Sequence, residues 1–379
     1  MRLSLTRQVL KYLPFIALPT VLPVAGAPGI SGSDVGRRAT VCNGFAELCQ
    51  KSFGSVAFVG AHDSYAIGNP FSNPEGLATV TTQLNDGIRM LQMQAHNQNG
   101  EIRLCHTSCT LYDGGSLHDY LTTVSDWLNA NPNEVLALLI VNIDNLPVAQ
   151  YDSVFKAVGL DVHSFIPSST PLPAGSWPTL GSMIDGGQRL VTFMDNGADA
   201  SVSYILDEFT HVWETAFNVI DPTFDCNINR TSSNVDPSTT MYLINHFLDM
   251  EILGNPAPNL GQLNVTNSAS GIGSLGAQVD TCVAQHSKPP NFLLVDFYDY
   301  GAGSVFEVAA RINSVQYTPP SSLASPLPSG ASPSSTAQTT SRPLNSNALS
   351  ISGVFSLEGT LPLISGVIGA VVGPYLLFL

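Results

Sequence analysis

Between about residues 41 and 317, short apolar runs recur along the chain, separated by stretches of mixed or helical periodicity. The runs SVAFVG (55–60), IRMLQMQ (88–94), EIRLCH (101–106), VLALLIVNI (135–143), RLVTFMD (189–195), MYLINHF (241–247) and NFLLVDFY (291–298) have the length and residue types of strands. Several are apolar almost throughout, which is the pattern of a strand covered on both faces in a parallel sheet. The segment SLHDYLTTVSDWLNAN (116–131) instead sets Leu117, Tyr120, Leu121, Val124, Trp127 and Leu128 at helical spacing and predicts a helix covering the sheet. Strands alternating with helices predict an α/β protein.

Polar residues collect where these runs end. His62, His106, Asn142, Asp195, His246 and Asp296 all lie near or just past the C-terminal end of an apolar run. In a β/α barrel that end carries the active site, and in a doubly wound open sheet ligands also bind there, so periodicity leaves both architectures open. Within IRMLQMQ and the residues after it, alternation puts Gln92, Gln94 and His96 on one face, with Leu91 and Met93 on the other. The same alternation turns Arg89 away from the face of Gln92, and Arg103 away from that of His106, which predicts structural pairing for both arginines. Two imidazoles at one end of a sheet suit a reaction in which one group takes a proton and another returns it. Asp63 follows His62 directly, with three roles open: a partner of the other histidine, a substrate contact, or a helix cap.

GAHDSY at 60–65, QLNDGIRMLQMQ at 83–94, LCHTSC at 104–109, NPNEVLALLIVN at 131–142 and LLVDFYDYG at 293–301 follow one another in an informative order. This series resembles the X-domain of phosphatidylinositol-specific phospholipase C, in the form found in secreted phospholipase-C-like phosphodiesterases. The resemblance implies a distorted TIM-type barrel in a single domain spanning about residues 40–317. It implies that His62 is the base acting on an inositol hydroxyl next to the phosphate, that His106 is the acid protonating the departing diacylglycerol oxygen, and that Asp296 is the carboxylate assisting an imidazole. Asn142, Asp195, His246 and Tyr298 are then candidates for the lining of a headgroup site, with Gln92 and Gln94. Those two glutamines depart from the family, whose metal-independent members carry an aspartate and an arginine there and whose calcium-dependent members carry two acids. Neutral amides make a poor calcium site, so no metal or other cofactor is expected. Without the arginine, stabilisation of the phosphate is also weakened, and a catalytically weak or inactive cell-surface binding module stands as the second reading.

Composition bears on compartment. The first residues carry Arg2, Arg7 and Lys11 ahead of YLPFIALPTVLPVA and Ala25-Gly26-Ala27, the order of a secretory signal spanning 1–27. Residues 318–352 are dominated by Pro, Ser, Thr and Ala, which predicts an extended, O-glycosylated stalk. Small residues near 346–353 followed by LPLISGVIGAVVGPYLLFL read as a glycosylphosphatidylinositol attachment signal over 353–379; a simple tail anchor would have the basic flank absent here. The protein is therefore expected at the cell surface, lipid-anchored to the outer face of the membrane or wall. Six cysteines in a secreted chain predict three disulfides; the sequence leaves fifteen pairings open, among which the set chosen is Cys42 with Cys49, Cys105 with Cys109 and Cys226 with Cys282. Asn229 and Asn264 begin glycosylation sequons. A formal charge of −15 speaks against nucleic acid as a partner, and against long-range attraction to an anionic bilayer.

Overall fold

A computed structural model describes residues 38–68, 78–319 and 323. The segments read as signal peptide and anchor signal, and nearly all of the stalk, lie outside the described residues. In chain order the elements are β1 (Phe58–Ala61), α1 (Val80–Asp86), β2 (Met90–Gln98), β3 (Glu101–Cys105), β4 (Asp113–Ser116), α2 (Leu117–Ala130), β5 (Leu136–Asn142), α3 (Val148–Ala157), α4 (Leu180–Asp185) and β6 (Leu190–Met194). They continue through β7 (Ile205–Asp207), α5 (Glu208–His211), β8 (Val212–Glu214), β9 (Met241–His246), β10 (Asp249–Ile252), β11 (Asn255–Pro258), α6 (Leu263–Thr266), α7 (Leu275–His286), β12 (Phe292–Val295) and α8 (Ser304–Asn313).

The main sheet runs β7-β6-β5-β2-β1-β12-β9-β8, every pairing along it parallel. Read as a ring, that path follows chain order, as a β/α barrel does. The two edge strands, β7 and β8, are joined by only the four residues of α5, so the sheet must curl until its edges meet. They meet without pairing, and the result is a distorted TIM-type barrel with an open seam. The β3–β4 hairpin is attached to the outer half of β2 by antiparallel pairing.

Two apolar layers follow from strand alternation. Phe58, Met90, Leu139, Phe193, Leu243, Phe292 and Leu294 fill the barrel and join Phe53 and Trp177 beneath it. Val59, Leu91, Leu138, Met194, Ile244 and Leu293 point outward into the shell that carries Leu121, Leu128, Val279 and Val308 of the helices. Ser116 caps α2 by accepting from the Asp119 amide, and that helix buries the stripe expected from its spacing. Gly60 belongs to the inner layer: a Cβ there would stand 3.1 Å from Leu294 Cδ1 and 3.2 Å from Met90 Cβ. The barrel is thus plugged directly below the mouth. All three expected disulfides are present, and Asn229 and Asn264 are exposed.

Candidate active site

On every barrel strand except β5, whose inward positions run from Ala137 and Leu139 to Val141, the inner face ends in a polar side chain at the C-terminal mouth. Phe58 and Gly60 point inward on β1, so His62, one step beyond the strand, does too; its amide continues the ladder to the Val295 carbonyl at 3.0 Å. Asp63 would face outward in a regular strand. Its φ of +47° instead puts it in the left-handed region, which turns its side chain back toward the mouth. Gln92 holds this turn, its Oε1 accepting from the Asp63 amide at 2.6 Å while its carbonyl accepts from the Ser64 amide at 3.0 Å.

His106 arrives from another direction, on the loop between β3 and β4 that the Cys105–Cys109 disulfide closes. Gln94 ties this loop to the first: its Nε2 donates to Asp63 Oδ2 at 3.0 Å and its Oε1 accepts from the Thr107 amide at 3.3 Å. The outcome is a convergence on one oxygen. Asp63 Oδ2 lies 3.8 Å from His62 Nε2 and 3.6 Å from His106 Nε2. The two Nε2 atoms are therefore no further apart than those two spans laid end to end. Asp63 Oδ1 is buried with no hydrogen-bond partner.

The other side of the His62 ring is fixed as well. Asp296, one step past β12, takes Nδ1 at 2.8 Å, and Phe247 stacks on the ring with centroids 4.1 Å apart and planes 6° from parallel. Burial alone would depress the imidazolium, but the charges of Asp63, Asp296 and Asp249 outweigh it and push His62 up to about 9. Burial raises the Asp296 carboxyl, with His62 opposing it. Asp249 is pushed up to about 6 by burial and by the charge of Asp296.

A second polar cluster comes from the strands across the barrel. Asp195 follows β6, its Oδ1 accepting from the Asn142 amide at 2.8 Å and from Asn196 Nδ2 at 2.9 Å. Glu208 follows β7 and is buried, with neither carboxylate oxygen hydrogen-bonded. Glu214 ends β8 and accepts from Arg230 Nε at 2.9 Å, and again from Arg230 Nη2. Asn245, inward on β9, donates to Glu214 Oε2 at 3.4 Å and to the Thr215 carbonyl at 2.9 Å. The Arg230 guanidinium also lies over the rings of Phe209 and Phe217, 5.2 and 4.8 Å from their centroids.

Three of the expected lining residues are not brought to the mouth. His246 is one residue past the inward Asn245 and points out of the barrel, fully buried, with Nδ1 2.6 Å from Gln278 Oε1 and Nε2 2.7 Å from the Thr266 carbonyl. Asn142 also faces outward, where it bonds the Leu146 amide, the Leu146 carbonyl and the Tyr151 hydroxyl, pinning the turn after β5. Tyr298 is buried and donates to Asp86 Oδ2 at 2.8 Å. The arginines pair structurally, Arg89 with Glu134 at 2.8 Å and Arg103 with Asp113 and Glu101, each at 2.8 Å. Among the described residues no group of three or more His, Cys, Asp or Glu side chains is arranged to hold a metal ion.

Comparison with known proteins identifies the family. The family model described as PI-PLC X 1 matches residues 48–313. An uncharacterized secreted protein of Arthroderma benhamiae is 46% identical over 287 residues, which cover 73% of this chain and 64% of that protein. A PI-PLC X domain-containing protein 1 of the same organism is 42% identical over 265 residues, covering 69% of this chain and 86% of its own. Among solved structures, the phosphatidylinositol-specific phospholipase C from Listeria monocytogenes is similar at 13% identity with a TM-score of 0.44, covering 70% of this chain and 95% of that one. The matched stretch runs from below β1 to the end of α8 and takes in every barrel strand, so the chain belongs to the PI-PLC X-domain family.

Proposed function

We propose that the protein is a phosphodiesterase of the phospholipase C type, acting without a tightly bound metal on an inositol-phosphate lipid or related glycolipid. The observation that carries this reading is the approach of His62 Nε2 and His106 Nε2 to a single point at Asp63 Oδ2. In the reaction, neutral His62 removes the proton of a headgroup hydroxyl beside the phosphate. That oxygen attacks phosphorus, the bond to the lipid oxygen breaks, and protonated His106 supplies the proton that the departing alcohol needs. The products are a cyclic phosphate and the lipid alcohol. Asp296, bonded to His62 Nδ1, fixes the ring and stabilises the imidazolium that forms. Asp63 holds His106 in line while Gln92 and Gln94 hold Asp63. The opposite wall of Asp195, Glu214, Arg230 and Asn245 offers donors and acceptors for headgroup hydroxyls.

Three disulfides suit an oxidising, extracellular compartment, and the sequence pattern at the far end adds a lipid anchor to the proposal. The assay is cleavage of radiolabelled phosphatidylinositol by the purified full chain, with and without chelator, beside His62→Ala and His106→Ala. Each substitution is expected to lower turnover by about 10²–10⁴, and chelator to leave it unchanged. Turnover indifferent to both substitutions overturns the mechanism, and turnover abolished by chelator overturns its metal independence. Headgroup binding without cleavage selects the second reading, a binding module, which the neutral Gln92 and Gln94 favour.

A further inference from the structure

One oxygen at the centre of the candidate site lacks a donor. Asp63 Oδ2 accepts from Gln94 and faces both imidazoles, but Oδ1 is buried with no hydrogen-bond partner. A buried carboxylate oxygen without a donor is costly, and native folds seldom leave one so. Two residues further on, the Tyr65 hydroxyl has the complementary deficit: it is buried and also has no partner.

The chain brings these two side chains together. The Ala66 amide donates to the Asp63 carbonyl at 2.7 Å, closing a turn over residues 63–66 that begins at the left-handed Asp63. The Tyr65 ring is buried in the outer apolar layer beside Tyr112, with centroids 6.4 Å apart. Gly114 of β4 leaves room for it, since a Cβ there would stand 2.6 Å from Tyr65 Cδ2. Burial and the charge of Asp63 hold the Tyr65 hydroxyl protonated well above the ordinary tyrosine range, so it remains a donor through neutral and mildly alkaline pH. The neighbouring hydroxyls are committed elsewhere. Tyr112 donates to the Ile67 carbonyl at 3.1 Å and accepts from the Ile67 amide at 2.8 Å, and Tyr120 shares a hydrogen bond with Ser64 Oγ.

We propose that Tyr65 is a positioning residue, whose hydroxyl donates to Asp63 Oδ1 and so keeps Oδ2 turned toward His62 and His106. The two oxygens act on each other in the resting geometry without the alignment of a hydrogen bond, and a small swing of either side chain completes it. Gln92 holds the Asp63 amide and Gln94 holds Oδ2, which still leaves the carboxylate free to turn about its Cβ–Cγ bond. A donor on the other oxygen is the third point that stops this rotation. Tyr65 itself touches no reacting atom. The inference rests on the phosphodiesterase reading for what Asp63 does in turnover, and not for the bond itself.

Two measurements on the full chain test it. A tyrosine hydroxyl bonded to a carboxylate and sealed from water exchanges slowly and gives a proton resonance downfield of the amides. That resonance is expected in the unsubstituted protein, lost in Tyr65→Phe and moved upfield in Asp63→Asn, whose amide is the weaker acceptor. In cleavage of phosphatidylinositol, Tyr65→Phe is expected to lower kcat about tenfold with KM unchanged. In the Asp63→Asn background the same substitution is expected to cost less than about twofold further, because it reaches the chemistry only through Asp63. A missing resonance, a resonance indifferent to Asp63→Asn, or a tenfold loss that persists in the Asp63→Asn background overturns the proposal and assigns Tyr65 to packing. Should Tyr65→Phe not fold, the response of the resonance to Asp63→Asn decides. The resonance is read without substrate: its presence in a protein that cleaves nothing overturns the enzyme reading alone, and cleavage without it overturns the positioning role alone.

Discussion

His62 must give up a proton before it can act as a base, yet three carboxylates surround it and raise it to about 9. At neutral pH only about one ring in a hundred is then free, although each free ring is a strong base. It follows that in a His106→Ala background, where no protonated acid is required of the enzyme, the residual kcat/KM should climb about tenfold per pH unit from neutrality and level off near pH 9 as His62 loses its proton. The intact protein, which also needs His106 protonated, should give a bell. In the His106→Ala background, Asp296→Asn removes one of the raising charges and the anion that stabilises the imidazolium in the transition state. The rising limb should therefore move to lower pH while the plateau falls by about 10²–10⁴. A pH–rate series on both proteins measures the two effects separately, and a limb that stays in place would mean that another group sets the profile.

At the scale of elements, the site joins a barrel strand to a stapled loop. The loop between Cys105 and Cys109 is so short that its disulfide adds only about 2 kcal/mol by chain entropy. Its larger effect is on placement, because it closes around His106 and Thr107, the latter at a φ of +61°. The Cys105→Ser/Cys109→Ser pair should lower kcat at least about tenfold while costing roughly those 2 kcal/mol in denaturant unfolding. Unchanged turnover would show that the loop's hydrogen bonds, that of Gln94 to the Thr107 amide among them, hold it without the disulfide. What could be read from sequence divides along the same line. The long apolar runs predicted β1, β2, β5, β6, β9 and β12, and alternation within β2 showed which face holds Gln92 and Gln94. In MYLINH, however, both faces are apolar, so nothing in the run tells inward Asn245 from outward His246, and histidine attracted the assignment by its chemistry. β7 and β8 have three residues each, too few to show a period, and so Glu208 and Glu214 at their ends went unread. Arg230 lies in a connection without strand or helix, inside what reads first as a glycosylation sequon.

At the scale of the molecule, the seam between β7 and β8 is where the ring closes without hydrogen bonds, and Glu208 stands in it. Burial and the charge of Glu214 beside it hold its carboxyl well above the ordinary value. The fold thus prefers the protonated acid. The stability this lends is complete below the unfolded-chain value of 4.5 and is lost as pH rises through the higher value in the folded state. Glu208→Gln keeps the shape of the protonated acid and cannot ionise. Its unfolding free energy, measured by denaturant titration, should match the unsubstituted protein at about pH 4 and exceed it increasingly toward pH 8, by on the order of 1.4 kcal/mol for each pH unit between the unfolded and folded values. Because Arg230 is paired with Glu214 and not with Glu208, the gain belongs to the seam itself. An equal gain at both ends of the pH range would assign it to packing and remove ionisation of Glu208 as the weak point of the barrel's closure.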